Sequence, residues 1–168
     1  MPTAVYASKD FHAVYLAKRV NEAKKTLDRF PVLRELVGGL KEFENPEQKE
    51  IRTTIVVLCA RATAGMFGVP QKDCEQLLAK IEKALDVFEA RHWETKKLNY
   101  LVSRIKSNDP AQNAPVVDEL LIGLHYVDKL GKQNVEVEPE IPSGRHSDLR
   151  ITINGRPVFL EITRVSMV

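Results

Sequence analysis

Apolar positions in the first two thirds of the chain recur at the spacing of α-helices, and prolines and glycines separate the segments. The pattern predicts helices from Phe11 to Phe30, from Val32 to Leu40 and from Asn45 to Gly68. The third has no polar face between Ile55 and Met66, which predicts that it is the central helix of a bundle. A further long helix is predicted from Pro70 to about Ser107.

The remainder of the chain changes from helical spacing to alternation. Turn-forming residues from Ser107 to Ala114 mark the best module boundary. A helix is predicted from Pro115 to Leu130, followed by a short strand around Val135 to Val137. The sequence therefore predicts an α+β protein, with a helical bundle over residues 1–110 and a helix followed by a small β-sheet over residues 111–168.

A β-hairpin near the end carries the most informative pattern. Asn154–Gly155 lies between two alternating runs, which is the strongest short-range hairpin signal. With these residues in the turn, Leu149 pairs with Leu160 on an apolar face, and Asp148 faces Glu161 on the other. Opposed carboxylates about 5 Å apart repel by about 3 kcal/mol at an effective dielectric constant of about 20. A cation between them would offset this repulsion, and carboxylate oxygens suit Mg²⁺ or Mn²⁺.

Composition and charge narrow the class of protein. The chain has 43% hydrophobic and 29% charged residues and a formal net charge of +2, which is typical of a globular protein and not of one that binds nucleic acid by bulk charge. It has neither an apolar run long enough to span a membrane nor the apolar core of a secretory signal near its N-terminus. Cys59 and Cys74 show no framework spacing, so we expect reduced thiols in a cytoplasmic protein without membrane contact.

The segment from Val117 to Thr163 resembles the PD-(D/E)XK nuclease superfamily, which has the restriction-endonuclease-like fold. The family pattern is a helix with an acidic residue, a strand, an Asp on a second strand, and E-x-K on a third. The corresponding residues are Glu119 on the helix, Asp148 within Ser147-Asp148-Leu149, and Glu161-Ile162-Thr163 after the tight turn. On this resemblance, residues 111–168 form the front part of such a core.

The resemblance implies a divalent-metal phosphodiesterase that cleaves DNA. Asp148 and Glu161 would bind Mg²⁺ or Mn²⁺, assisted by a backbone carbonyl near Ile162 and by Glu119 through water. The metal would lower the pKa of a bound water and stabilise charge on the scissile phosphate. A homodimer would suit the cutting of two strands.

The sequence departs from the family pattern in three places, and two of them, at Thr163 and at the C-terminal end, favour an alternative. Ser147 replaces the Pro, and Thr163 replaces the Lys, so a positive charge must come from elsewhere; Arg150, on the same face as Glu161, is one candidate. The sequence ends at Val168, soon after the third strand, so we expect either that it is a fragment or that a second copy or a partner subunit completes the sheet. The alternative is a non-catalytic, nuclease-like module that binds nucleic acid or protein.

A second candidate surface lies on the long predicted helix. Aromatic and basic residues share one stripe or lie beside it: Arg91, Trp93, Lys96, Lys97, Tyr100 and Arg104. Such interleaving predicts a nucleic-acid-binding surface that holds phosphates and stacks on bases. The alternative is that the aromatic rings pack at the edge of the bundle, with cation–π contacts to their basic neighbours.

The residues of the proposed metal site also have plainer interpretations. Asp148 and Glu161 would form a surface ion cluster if Arg150 lay between them. Glu119 would be a solvated helix residue, and His146 a polar loop residue. The sequence leaves both sets of interpretations open.

Overall fold

The computed structural model describes residues 20–40, 53–64, 70–92, 99–139 and 146–163. Within these ranges the chain forms six α-helices and three strands: α1 (Val20–Leu27), α2 (Pro31–Val37), α3 (Thr54–Ala64), α4 (Gln71–Val87), α5 (Asn99–Lys106), α6 (Pro110–Leu130), β1 (Val135–Val137), β2 (Leu149–Ile153) and β3 (Arg156–Leu160). The α+β class predicted from the sequence is confirmed. No helix in these ranges combines the length and apolar character needed to cross a membrane.

The helical part is organised around α3. Ile55 and Leu58 are fully buried, and α1 and α4 both pack against this helix. The prediction of a central helix from its continuous apolar run is therefore confirmed. The predicted start of the first helix at Phe11, and the predicted ends of the third at Asn45 and Gly68, lie outside the described residues.

The prediction of one helix from Pro70 to Ser107 is wrong. After α4 ends, Glu89 adopts a left-handed backbone conformation with a φ of 56°, and Ala90–His92 form a 3₁₀ turn. A left-handed residue interrupts the ladder of hydrogen bonds between residues four apart, so the helix cannot continue through it. The described part of this segment therefore contains two separate helices, α4 and α5.

The start of α6 also differs from the prediction. The helix begins at Pro110 and not at Pro115, because Asp109 caps its N-terminus by accepting a hydrogen bond from the N–H of Ala111 at 2.9 Å. Pro115 lies inside the helix, where it lacks the N–H that would donate to the carbonyl of Ala111. At the other end, Gly131 has a φ of 85°, in the region that favours glycine.

The three strands form an antiparallel sheet in the order β1-β2-β3. Leu149 pairs with Leu160 and Ile151 with Val158, so the predicted hairpin register is confirmed. Both residues of the Asn154–Gly155 turn have positive φ angles, 51° and 74°, as a type I′ turn requires. The predicted apolar face is covered at one end only, because Leu149 is fully buried whereas Val158 is 40% exposed.

A single hydrophobic cluster connects the helices to the sheet. α6 packs against α4 and α5 and also against β1 and β2. A Cβ atom on Gly123 would lie 2.9 Å from Phe88 and 3.2 Å from Leu149, so the missing side chain allows α6 to lie directly on β2. The cluster includes residues on both sides of residue 110, and the division into two modules stays a prediction.

Candidate metal centre

Three carboxylates from separate segments converge where α6 meets the sheet. Glu119 lies on α6, Glu138 follows β1, and Asp148 precedes β2; one oxygen of each lies within 4.8 Å of the others. The backbone N–H of Glu138 donates to the carbonyl of Asp148 at 2.9 Å, which continues the β1–β2 pairing to this point. We call Glu119, Glu138 and Asp148 the carboxylate cluster.

Glu138 has an unusual backbone conformation for a buried residue. Its φ is 52°, and the residue is 6% exposed. A residue with a long side chain in the left-handed region carries a conformational cost of about 1–3 kcal/mol, which the surrounding contacts must offset. Such costs concentrate at functional sites, so this conformation identifies Glu138 as a candidate functional residue.

Arg104, on α5, is the positive partner of the cluster. Its Nη2 donates to Oε1 of Glu119 at 2.7 Å and its Nη1 to Oε2 at 3.3 Å, so one guanidinium engages both oxygens of one carboxylate. Nη1 also donates to Oε1 of Glu138 at 3.1 Å. With all four groups ionised, three carboxylates and one guanidinium leave a charge of about −2.

Burial determines how the charged groups of this site titrate. It raises the pKa of Glu119 and of Glu138, although Arg104 acts on both in the opposite direction. Burial also opposes the charge of Arg104, but the two ion pairs outweigh it and raise the pKa of the guanidinium. The cluster therefore strongly favours the charged form of Arg104, whereas Arg104 offsets only part of the cost of burying the two charged glutamates.

Two rings border the cluster. The hydroxyl of Tyr100 is buried and has no hydrogen bond of good geometry to any described residue. It lies close enough to the Glu138 carboxylate for the negative charge of that group to affect its ionisation. Burial first, and this carboxylate second, raise the pKa of the phenol. Nδ1 of His146 lies 3.2 Å from the backbone carbonyl of Glu138, and the centres of the Tyr100 and His146 rings are 5.9 Å apart.

Asp148 is held by the segment that follows β3. The backbone N–H of Ile162 donates to its Oδ2 at 2.6 Å, and the hydroxyl of Ser147 donates to the carbonyl of Leu160 at 2.9 Å. Ile162 thus contacts the site through its N–H, whereas the resemblance implied a role for a carbonyl near it. These two bonds connect the loop before β2 to the end of β3 and orient the Asp148 side chain.

The structure does not group Asp148 with the other predicted residues of the hairpin. Glu161 and Thr163 are exposed, and Glu161 is not part of the carboxylate cluster. Arg150 is paired with Glu136 on the neighbouring strand at 2.5 Å. The cation found between carboxylates is therefore Arg104, where the sequence suggested Arg150.

Glu119 and the predicted nucleic-acid stripe also differ from their simplest interpretations. Glu119 is 2% exposed, so the alternative of a solvated helix residue is wrong. Tyr100 and Arg104 do share one face of α5, but that face points to the carboxylate cluster. Arg91 is exposed and paired with Glu35 at 3.0 Å. The remaining members of the stripe, Trp93, Lys96 and Lys97, lie outside the described residues.

Sequence reasoning missed Glu138 as a member of the site. The alternation of Glu136 and Glu138 was visible, but no tight turn fixes the register between β1 and β2 as Asn154–Gly155 fixes that between β2 and β3. For Arg104 the helical spacing from Tyr100 was a usable signal, since it placed both residues on one face. It did not show that this face is covered.

Comparisons with known proteins give no relative for this chain: no family model, curated protein or solved structure matches it.

The residues present fit a divalent cation. The donors are carboxylate oxygens, which Mg²⁺ and Mn²⁺ prefer, and they come from positions fixed by a helix and a sheet. The cluster already binds one positive group, the guanidinium of Arg104.

Proposed function

We propose that the carboxylate cluster binds Mg²⁺ or Mn²⁺ and that the protein is a divalent-metal-dependent DNA nuclease. The observation that carries this proposal is the convergence of Glu119, Glu138 and Asp148, with one oxygen of each within 4.8 Å of the others. DNA as the substrate rests on the resemblance of residues 117–163 to the PD-(D/E)XK pattern. The proposed location is the cytoplasm, where the thiols of Cys59 and Cys74 stay reduced.

The residues of the cluster have different surroundings, which suggests different roles. Glu119 and Glu138 are buried and would hold the cation from the protein side, whereas Asp148 is half-buried and would hold it on the side open to substrate. The N–H of Ile162 orients the Asp148 carboxylate. Glu161 is exposed just after β3 and lies outside the cluster, so its role as a further metal ligand rests on the resemblance alone. A bound divalent cation supplies a water of lowered pKa and neutralises charge on the phosphate.

A second candidate function is supported by Arg104. Its ion pairs with Glu119 and Glu138 already neutralise part of the cluster, and Thr163 provides no positive charge for catalysis. A protein in which this ion-pair network is permanent would be a non-catalytic, nuclease-like module that binds nucleic acid or protein.

Cleavage assays distinguish the two candidates. Supercoiled plasmid and branched DNA are incubated with the protein in Mg²⁺, in Mn²⁺ and in chelator, and the products are separated on gels. Metal-dependent cleavage that is lost in Asp148→Asn supports the nuclease. The matched control is Asp128→Asn, since Asp128 is an exposed carboxylate paired with Lys83 on the helical side, and this variant should cleave normally. DNA binding without cleavage overturns the nuclease and supports the binding module.

A further inference from the structure

The oxygen atoms that a divalent cation would need are already engaged by Arg104. Its guanidinium contacts both oxygens of Glu119 and one oxygen of Glu138. In the described part of the chain, these two carboxylates form ion pairs with no other basic residue. A metal ion at Glu119 and Glu138 must therefore share these oxygens with a positively charged group or replace it.

The relative burial of the partners shows which of them can move. The side chains of Glu119 and Glu138 are 2% and 4% exposed, whereas that of Arg104 is 26% exposed. The two carboxylates are almost fully enclosed, while the Arg104 side chain is long, flexible and still in contact with solvent. We therefore take Arg104 to be the side chain that moves when the cluster opens.

We propose that Arg104 is the resident cation of the carboxylate cluster and that a divalent cation binds there in competition with its guanidinium. This inference rests on the site proposed above and concerns what occupies it before a metal ion does. Once displaced, the guanidinium would stay near the site, and its planar set of N–H donors suits a phosphate oxygen. Arg104 would then supply the positive charge that Thr163 cannot.

The test is a calorimetric titration of the chelator-treated protein with MgCl₂ and with MnCl₂. Arg104→Gln removes the competing positive charge, and a guanidinium and a divalent cation at the same carboxylates repel each other strongly. We therefore expect this variant to bind Mn²⁺ at least about tenfold more tightly than the wild type. Arg104→Lys keeps a positive charge and should stay close to the wild type. Arg29→Gln, in an exposed ion pair with Glu75, is the matched control and should leave the affinity unchanged.

The outcomes separate this inference from the proposed function. Tighter binding by Arg104→Gln than by the wild type supports both. Binding by Arg104→Gln alone supports the resident cation but overturns the nuclease, because the wild-type site would then be closed. Equal or weaker binding by a folded Arg104→Gln overturns the resident cation and leaves the proposed nuclease standing. No binding by either protein overturns both.

The variant itself provides a second readout if it does not fold in chelator. Circular dichroism then follows the helical signal of Arg104→Gln as Mn²⁺ is added. Recovery of the signal supports replacement of the guanidinium by the metal ion, and absence of recovery overturns it.

Discussion

Arg104 on α5 and Glu119 on α6 are joined by two hydrogen bonds, at 2.7 and 3.3 Å, and Glu119 is almost fully buried. The pair connects two helices beside the start of the sheet, and Arg104 also forms an ion pair with Glu138. A buried carboxylate that loses its positive partner is not resolvated by water. Removing one partner of a buried ion pair therefore lowers the free energy of unfolding far more than removing one partner of an exposed pair. The ion pair therefore has consequences for stability as well as for metal binding.

Removal of the guanidinium should destabilise the fold. Arg104→Met keeps most of the aliphatic stem, and we expect the free energy of unfolding at neutral pH to fall by about 3 kcal/mol, because two buried carboxylates lose their positive partner. Urea denaturation followed by circular dichroism measures the change. Arg29→Met makes the same substitution in an exposed pair and should cost less than about 1 kcal/mol. Equal losses in the two variants would contradict the importance of burial.

The pH dependence of stability should reflect the raised pKa of Glu119. The folded protein keeps this proton to a higher pH than the unfolded chain, whose ordinary value is 4.5. The stability that protonated Glu119 contributes is therefore fully present below the pKa of the unfolded chain, and it is lost as the pH rises through the pKa of the folded protein. In urea titrations between about pH 4 and pH 8, Glu119→Gln, which cannot ionise, should gain stability relative to the wild type with increasing pH.

The control for this pH series is Glu75→Gln, because Glu75 is exposed and paired with Arg29. This variant should not show the progressive gain in stability that we expect of Glu119→Gln. If the wild type instead becomes more stable relative to Glu119→Gln as the pH rises, the attraction between Arg104 and ionised Glu119 exceeds the cost of burying that charge.

The two thiols should be unreactive in the folded protein. Cys59 on α3 is fully buried, and burial raises its pKa to about 12; Cys74 on α4 is also buried, with its pKa raised by the same cause. Because the thiolate is the reactive form, Ellman's reagent at about pH 8 should label neither residue before unfolding and both in urea. Fast labelling of the native protein would show that α3 and α4 separate readily.

Gly123 should be intolerant of a side chain. A Cβ atom there would come within 2.9 Å of Phe88 and 3.2 Å of Leu149, so Gly123→Ala should cost about 1–3 kcal/mol through overpacking. Thermal unfolding measures the loss. The matched control is Gly39→Ala, because no atom other than those of Gly39 and its chain neighbours lies within 4 Å of a Cβ at that position, and this variant should retain wild-type stability. A stable Gly123→Ala would mean that α6 can move away from β2 at little cost.

Features that depend on neighbouring residues were predictable. The continuous apolar run of α3 led to the correct expectation of burial, and Asn154–Gly155 led to the correct pairing of Leu149 with Leu160. In both cases the physical cause lies within a few residues of its effect. The turn at Glu89 was missed because a glutamate with a left-handed backbone has no signature in composition or spacing.

The residues of the candidate site likewise fall into those that a local pattern predicted and those that it did not. Asp148 and Glu119 were identified from the motif, but their partners Glu138 and Arg104 come from segments whose relative positions no local pattern specifies. Glu161 was chosen because a hairpin fixes its distance from Asp148, yet the side chain is exposed and outside the cluster. A register predicts which backbones are adjacent, whereas side-chain direction also depends on what packs above the sheet.

The sequence by itself therefore determined the helices' apolar faces, the hairpin and its register, and the presence of acidic residues near it, because these follow from local conformational preference and periodicity. Only the tertiary structure decided which acidic residues meet and which cation they meet. The packing of α6 on β2 at Gly123 and of α5 beside α6 brings Arg104 to Glu119 and Glu138. Burial then makes that pairing matter, since charges removed from water depend on their partners.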